Sequence, residues 1–161
     1  MIRATMAIML VAAVCGAPSR ALAQGDEDEM AAVIAVVDGL FDAMRAGDSA
    51  AMRAVLHPSA TGATAFVRDG APTLTREASL EGFVQAVGTP HDEVWDERIW
   101  DAEVRIDDLL ATAWMNYAFF AGDTFSHCGV NAFQLFKGAD GWKIFHIADT
   151  RRREGCEMPE E

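Results

Sequence analysis

Asp140-Gly141 sits between two runs of β-branched and aromatic residues, in FSHCGVNAFQLFKGADGWKIFHIADT (125–150), and commits that stretch to a hairpin. If Ala139 and Asp140 form a type I turn, Gly141 takes the following left-handed position as a one-residue bulge. Gly138 then faces Trp142, and Phe136 pairs with Ile144, Gln134 with His146 and Ala132 with Ala148. On the other face Leu135 meets Phe145, Phe133 meets Ile147 and Asn131 meets Asp149, because side chains alternate with period two. Both faces are rich in apolar residues, so the pattern predicts a central hairpin covered on both sides. His127 shares a face with Asn131 and Asp149, and these three polar groups at the end of an apolar face form the main candidate site.

Residues 1–23 have the pattern of a signal peptide: Arg3, an apolar run from Met6 to Val14, then Ala21 and Ala23 before Gln24. The run is shorter than the ~20 residues a membrane span needs. A lipid anchor on Cys15 is the rival reading, but Val14 stands where a small residue is expected. Cleavage after Ala23 predicts a periplasmic or secreted product, residues 24–161, the size of one domain. The whole chain carries a net charge of −12, and loss of Arg3 and Arg20 makes the product more acidic still. Such a surface repels nucleic acid and anionic membranes, so neither is expected as a partner.

Asp26 to Glu29 open an amphipathic helix whose stripe is Ala32, Val33, Val36, Val37, Leu40, Phe41 and Met44, with Gly47 as its stop. Asp48 or Ser49 caps a second, short helix ended by His57-Pro58. A strand from Thr61 to Val67 and an Asp69-Gly70 turn follow. Thr75 then caps a third helix with Leu80, Phe83, Val84 and Val87 as its apolar side. Past Val94 the period is two. Strands 99–106 and 109–121 meet at Asp107-Asp108, and Gly122-Asp123 leads into the hairpin. Helices early and long antiparallel strands late make an α+β fold with helices on one side of a bent sheet.

Two stretches carry a likeness to a known family. LFDAMRAGDSAAMRAVLHPSA resembles the opening of NTF2-like (SnoaL-like) domains, and SHCGVNAFQLF, DGWKIFHIADT and RRREGC resemble their secreted branch, the putative lumazine-binding family. The likeness spans residues 24–161. It implies a cone in which N-terminal helices and a curved, mostly antiparallel sheet enclose an apolar pocket, and it implies frequent dimerisation. The superfamily hosts isomerases, dehydratases, binding modules and dimerisation domains, so the fold alone names no activity. The tyrosine of the ketosteroid isomerase branch, seven positions before the helix-ending glycine, is Leu40 here, and GATAFV lacks its base. The His/Asp set of the dehydratase branch does not map either.

No zinc spacing is present: His127 and Cys128 are adjacent in a strand and face opposite ways, while His57 and His91 lie in distant loops. A P-loop, a dinucleotide fingerprint and a nucleophile elbow are missing, so no cofactor is expected. His146, beside Gln134 on the other face, reads as a satisfied core histidine. Arg151 to Arg153 read as a solvated strand end, with anion binding as the alternative. Trp114 and Phe120 share one face of their strand and Tyr117 and Phe119 the other, so one face can line the cone and the other a homodimer interface. The leading expectation is a small apolar or aromatic molecule held by His127, Asn131, Phe133, Asp149, Tyr117 and Trp95. Its rivals are a dimerising module without a ligand, and an enzyme moving protons or water through His127 and Asp149.

Once residues 1–23 are removed, Cys128 and Cys156 are the remaining cysteines. In the bulged register Cys128 faces Arg152, and Gly155 lets the tail turn back. A Cys128–Cys156 disulfide is therefore expected, contributing ~3–4 kcal/mol by loop closure, against the alternative of a buried free Cys128 and a frayed tail.

Overall fold

The computed structural model of the protein describes residues 19–159, so the expected signal peptide lies, up to residue 18, outside the described residues. The elements are α1 (Ser19–Ala46), α2 (Ser49–Val55), β1 (Leu56–Arg68), β2 (Ala71–Glu77), α3 (Glu81–Gly88), β3 (Trp95–Asp107), β4 (Leu110–Ala121), β5 (Thr124–Gly138) and β6 (Gly141–Arg151). They form one open, curved sheet in the order β2-β1-β6-β5-β4-β3, with β1 parallel to β6 and every other pair antiparallel. This is the expected α+β architecture, with α1 to α3 on the sheet's inner face.

Val33, Val37, Leu40, Phe41 and Met44 of α1 are buried, as their helical spacing requires. Gly47 at φ 65° ends α1, where its N–H and that of Asp48 bond back to Met44 and Ala43. Asp48 then caps α2 by accepting from Ala50 and Ala51, both at 2.9 Å. Two helix starts differ from expectation. α1 begins at Ser19, so Asp26 to Glu29 lie inside it rather than at its positive end. Glu29 instead accepts from Lys137 Nζ at 2.7 Å and Trp142 Nε1 at 3.0 Å, and these bonds hold its carboxyl below the usual range. Thr75 is in β2, opposite Thr64, because the Asp69-Gly70 turn closes a hairpin there; α3 starts only at Glu81, whose N–H bonds to Ser79 Oγ.

The central hairpin has its offset in a different place. Gly138 pairs with Gly141, Lys137 with Trp142 and Leu135 with Ile144, and the extra residue is Phe145 rather than Gly141. Beyond that bulge the expected pairs Gln134–His146, Phe133–Ile147, Ala132–Ala148 and Asn131–Asp149 all form. Trp142 and Ile144 thereby turn inward into the core with Leu135 and Phe133, and Phe145 moves out of it. Burial explains the choice: the bulge lets two large apolar side chains reach the helices.

One face of the hairpin is covered, not both. On the outer face Leu110, Trp114 and Phe136 are 49, 54 and 41% exposed in the single chain. Cys128 and Cys156 form the expected disulfide, with Cα atoms 6.0 Å apart, and Cys128 exchanges backbone bonds with Arg152 as the register predicts.

Candidate functional site

Where the sheet curls away from α1 it leaves a cavity of about 120 Å³. Leu40, Phe41 and Met44 of α1, Leu80 and Phe83 near α3, and Phe133 and Ile147 of the sheet make its apolar walls. The polar end is built by four neighbouring strands: Glu97 from β3, Tyr117 from β4, His127 and Asn131 from β5, Asp149 and Arg151 from β6. Period-two alternation delivers them, since residues opposite each other in a ladder share a face; Asn131 stands opposite both Met115 and Asp149, and Glu97 opposite Phe119.

Asp149 is a node of hydrogen bonds. Thr64 Oγ1 donates to its Oδ1 at 2.6 Å and Arg151 Nε to its Oδ2 at 2.7 Å. The Tyr117 hydroxyl lies 3.2 Å from Oδ2 and 2.9 Å from the carbonyl oxygen of Thr150, and divides its one proton between them. That carbonyl can come so close because position 129 is glycine: a Cβ there would stand 1.8 Å from it. Burial, then the negative charges of Asp149 and Glu97, push the Tyr117 phenol upward, so it stays a donor. Burial is the largest influence on Arg151 and opposes its charge, but the bond to Asp149, together with the electrostatic pull of Asp149, Tyr117 and Glu97, raises it on balance.

The ring of His127 packs edge-on to Tyr117 and tilted against Phe119, with Nδ1 3.0 Å from Ser126 Oγ. Burial, followed by the positive charge of Arg151, lowers it to about 4, so the imidazole is neutral at physiological pH. No hydrogen bond joins His127 to Asp149. The two share a cavity but do not form a dyad.

Glu97 is the member that the sequence reading missed. Asn131 Nδ2 donates to its Oε1 at 2.6 Å, and both side chains line the cavity. Burial raises its carboxyl to about 7, against the Asn131 bond that favours the ionised form, and Asp149 and Asp96 add to the rise. The missed signal is phase. β3 starts at Trp95, four residues before the expected strand, and Trp95, Glu97 and Ile99 alternate onto the inner face. Arg151 is half-exposed at the strand end, as expected, but its guanidinium also borders the cavity, where it bonds Asp149.

The other expected site residues fall into two groups. His127, Asn131, Phe133, Asp149 and Tyr117 all line the cavity. Trp95 lies outside the lining, stacked on His91 at 4.2 Å and edge-on to Phe119. His146 is on the opposite face beside Gln134, with Nδ1 2.8 Å from Thr61 Oγ1. Among the described residues no cluster of His, Cys, Asp and Glu is arranged to hold a metal ion, and no helix is long and apolar enough to cross a membrane.

Since Asp149 accepts three bonds, Asp149→Ala should cost about 2 kcal/mol, because Thr64 loses its acceptor while the half-exposed Arg151 regains water. Urea unfolding checks this; a loss below about 0.5 kcal/mol would show the network to be idle. Any binding defect of that variant must therefore be read beside its stability.

Comparison with known proteins agrees with the fold. Residues 28–146 match the model of the family described as putative lumazine-binding. No curated protein sequence matches the chain. Among solved structures, an NTF2-like protein with a cystatin-like fold from Novosphingobium aromaticivorans is similar at TM-score 0.66 and 12% identity, over 89% of this chain and 94% of that one. An NTF2-like protein of unknown function from Shewanella baltica superposes at TM-score 0.61 and 17% identity, over 80% and 97%. A putative dehydratase of the NTF2-like family from Streptomyces avermitilis does so at 0.58 and 15%, over 78% and 97%. At these identities the structures speak for the fold alone. With the family model covering most of the chain, the protein belongs to the putative lumazine-binding family of NTF2-like proteins.

Proposed function

We propose that this protein binds a small, largely apolar molecule in its cone cavity. The observation that carries the reading is the cavity itself: apolar on the α1 side, polar where the four strands end, and about 120 Å³ in volume. A buried cavity of ~150 Å³ holds benzene, so the fit is to a single ring. A two-ring lumazine needs the mouth to widen. Ligand-observed NMR with benzene and with lumazine tests this. Benzene should bind at millimolar concentration or better, and Ile147→Phe, which fills the cavity, should abolish it. Equal binding by that variant would move the site elsewhere.

Catalysis through His127 and Asp149 has less support, because the two are not hydrogen-bonded and His127 has little basicity near pH 7. Dimerisation has an observation of its own. Leu110, Trp114 and Phe136 form an exposed apolar face on the outer side of the sheet, continued by a broad shallow groove at His57, Leu109 and Phe145. A second copy docked there buries surface that a monomer leaves wet, and it can coexist with a filled cavity. Light scattering at tens of micromolar should give a dimer mass, and Trp114→Glu a monomer; a monomer mass for the unaltered protein rejects the interface. The disulfide fits an oxidising compartment, in line with export to the periplasm or the cell exterior.

A further inference from the structure

We propose that Glu97 selects the ligand, donating a hydrogen bond from its Oε2 hydroxyl to the carbonyl oxygen or ring nitrogen of an uncharged single-ring molecule. The inference rests on the cavity-binding reading and adds the chemical class of what is bound.

The geometry leaves one carboxyl oxygen for this task. Oε1 of Glu97 is taken by Asn131 Nδ2 at 2.6 Å, while Oε2 has no partner among the described residues. No enclosed side-chain oxygen in those residues lacks a hydrogen bond. An unpartnered Oε2 on a residue that is not exposed must therefore open onto free space, and the free space that Glu97 lines is the cavity. Asn131 is itself buried, at 4% exposure, and its bond sets which oxygen is free. A ligand that meets Oε2 completes a buried polar network otherwise left half-made.

Charge decides what kind of group meets it. The groups facing Glu97 are Arg45 from α1, whose guanidinium reaches only its backbone carbonyl, Glu77 at the end of β2, Asp96 beside it on β3, Tyr117 on β4, His127 on β5, and Asp149 and Arg151 on β6. The cation nearest the cavity, Arg151, already pairs with Asp149 at 2.7 Å. Burial, then the charges of Asp149 and Asp96, disfavour an ionised Glu97 by more than the Asn131 bond and Arg151 favour it, so its carboxyl holds its proton up to about pH 7. A cationic ligand would relieve the same repulsion. It would first have to shed its water in an apolar-walled cavity beside Arg151, whereas a neutral acceptor gives up little. Below about pH 7 Oε2 is thus a donor, and its complement is an acceptor without charge.

The test compares three probes of one size, cyclohexanone, methylcyclohexane and cyclohexylamine, titrated by NMR at pH 5.5 and 8.5 against the unaltered protein and Glu97→Gln. Cyclohexanone should bind tighter than methylcyclohexane at pH 5.5 and lose affinity on the order of thirtyfold at pH 8.5, where the competent protonated fraction is small. Glu97→Gln keeps an acceptor for Asn131 and an N–H donor for the ligand, so it should bind the ketone equally at both pH values. His127, at about 4, stays neutral throughout this range. The unaltered protein alone already decides the pH arm. If methylcyclohexane binds as well as the ketone at both pH values, the donor role is overturned while the cavity-binding reading stands. If cyclohexylamine binds best, and only with Glu97 intact at pH 8.5, the site is for cations. If none of the three binds, the binding reading falls and this inference with it.

Discussion

Replacing both Cys128 and Cys156 by alanine should lower the unfolding free energy by ~3–4 kcal/mol and the melting temperature by about 10 °C. The two cysteines are 28 residues apart, so the bond removes loop-closure entropy from the unfolded chain over the whole β5–β6 hairpin and the tail. In the folded state little has to move to make it. Cys128 N–H and C=O already bond to Arg152 at 2.9 and 3.0 Å, which brings the tail within reach. Alanine is the right substitute at position 128, because the residue is 1% exposed and serine would bury a hydroxyl. The tail from Arg152 onward should fray first, and amide exchange there should rise more than in β5. Urea unfolding of the unaltered protein with and without reductant gives the same difference without mutation. A change below about 1 kcal/mol in both experiments would show that the crosslink spans a part of the chain already loose before global unfolding.

The second large effect is electrostatic. Glu97→Gln should stabilise the protein at pH 8 by about 3 kcal/mol more than it does at pH 4. The sign follows from the proton count. A carboxyl raised from 4.5 to about 7 keeps its proton in the folded state while the unfolded chain has already lost it. Between those values the unfolded state binds fewer protons, so stability falls as pH rises, and above about 7 the loss is complete. Glutamine at 97 has no proton to lose. His127 works the other way: lowered from 6.5 to about 4, it makes folded protein gain stability as pH rises through that range. The two slopes largely cancel in the unaltered protein from about pH 4.5 to 6.5. The difference between unaltered and Glu97→Gln proteins isolates the carboxyl, because His127 contributes to both. Chemical denaturation at pH 4, 6 and 8 reads it; a difference that does not grow with pH would place the carboxyl in solvent.

Local chemistry settled a good part of this protein before any tertiary contact was considered. Gly47 with Asp48 must end one helix and cap the next, and Asp140-Gly141 must turn a hairpin, since these depend on backbone conformations and short-range bonds that neighbours supply. Period two was enough to set His127, Asn131 and Asp149 on one face, and to put Cys128 opposite Arg152. What a local pattern cannot hold is competition between distant parts of the chain. Thr75 has the chemistry of a helix cap, yet pairing with Thr64 claims it for a strand. Gly141 is a fit place for the bulge, yet the demand to bury Trp142 and Ile144 under α1 moves it to Phe145. The same holds at the site. Glu97 stands between Asp96 and Arg98, and nothing in that local sequence sets it apart. Its carboxyl is raised to about 7 at the polar end of a cavity only because four strands come together there, one of them bringing Asn131 from 34 residues further along the chain. Desolvation is a property of that enclosure and of no single residue, so the tertiary fold alone could decide it.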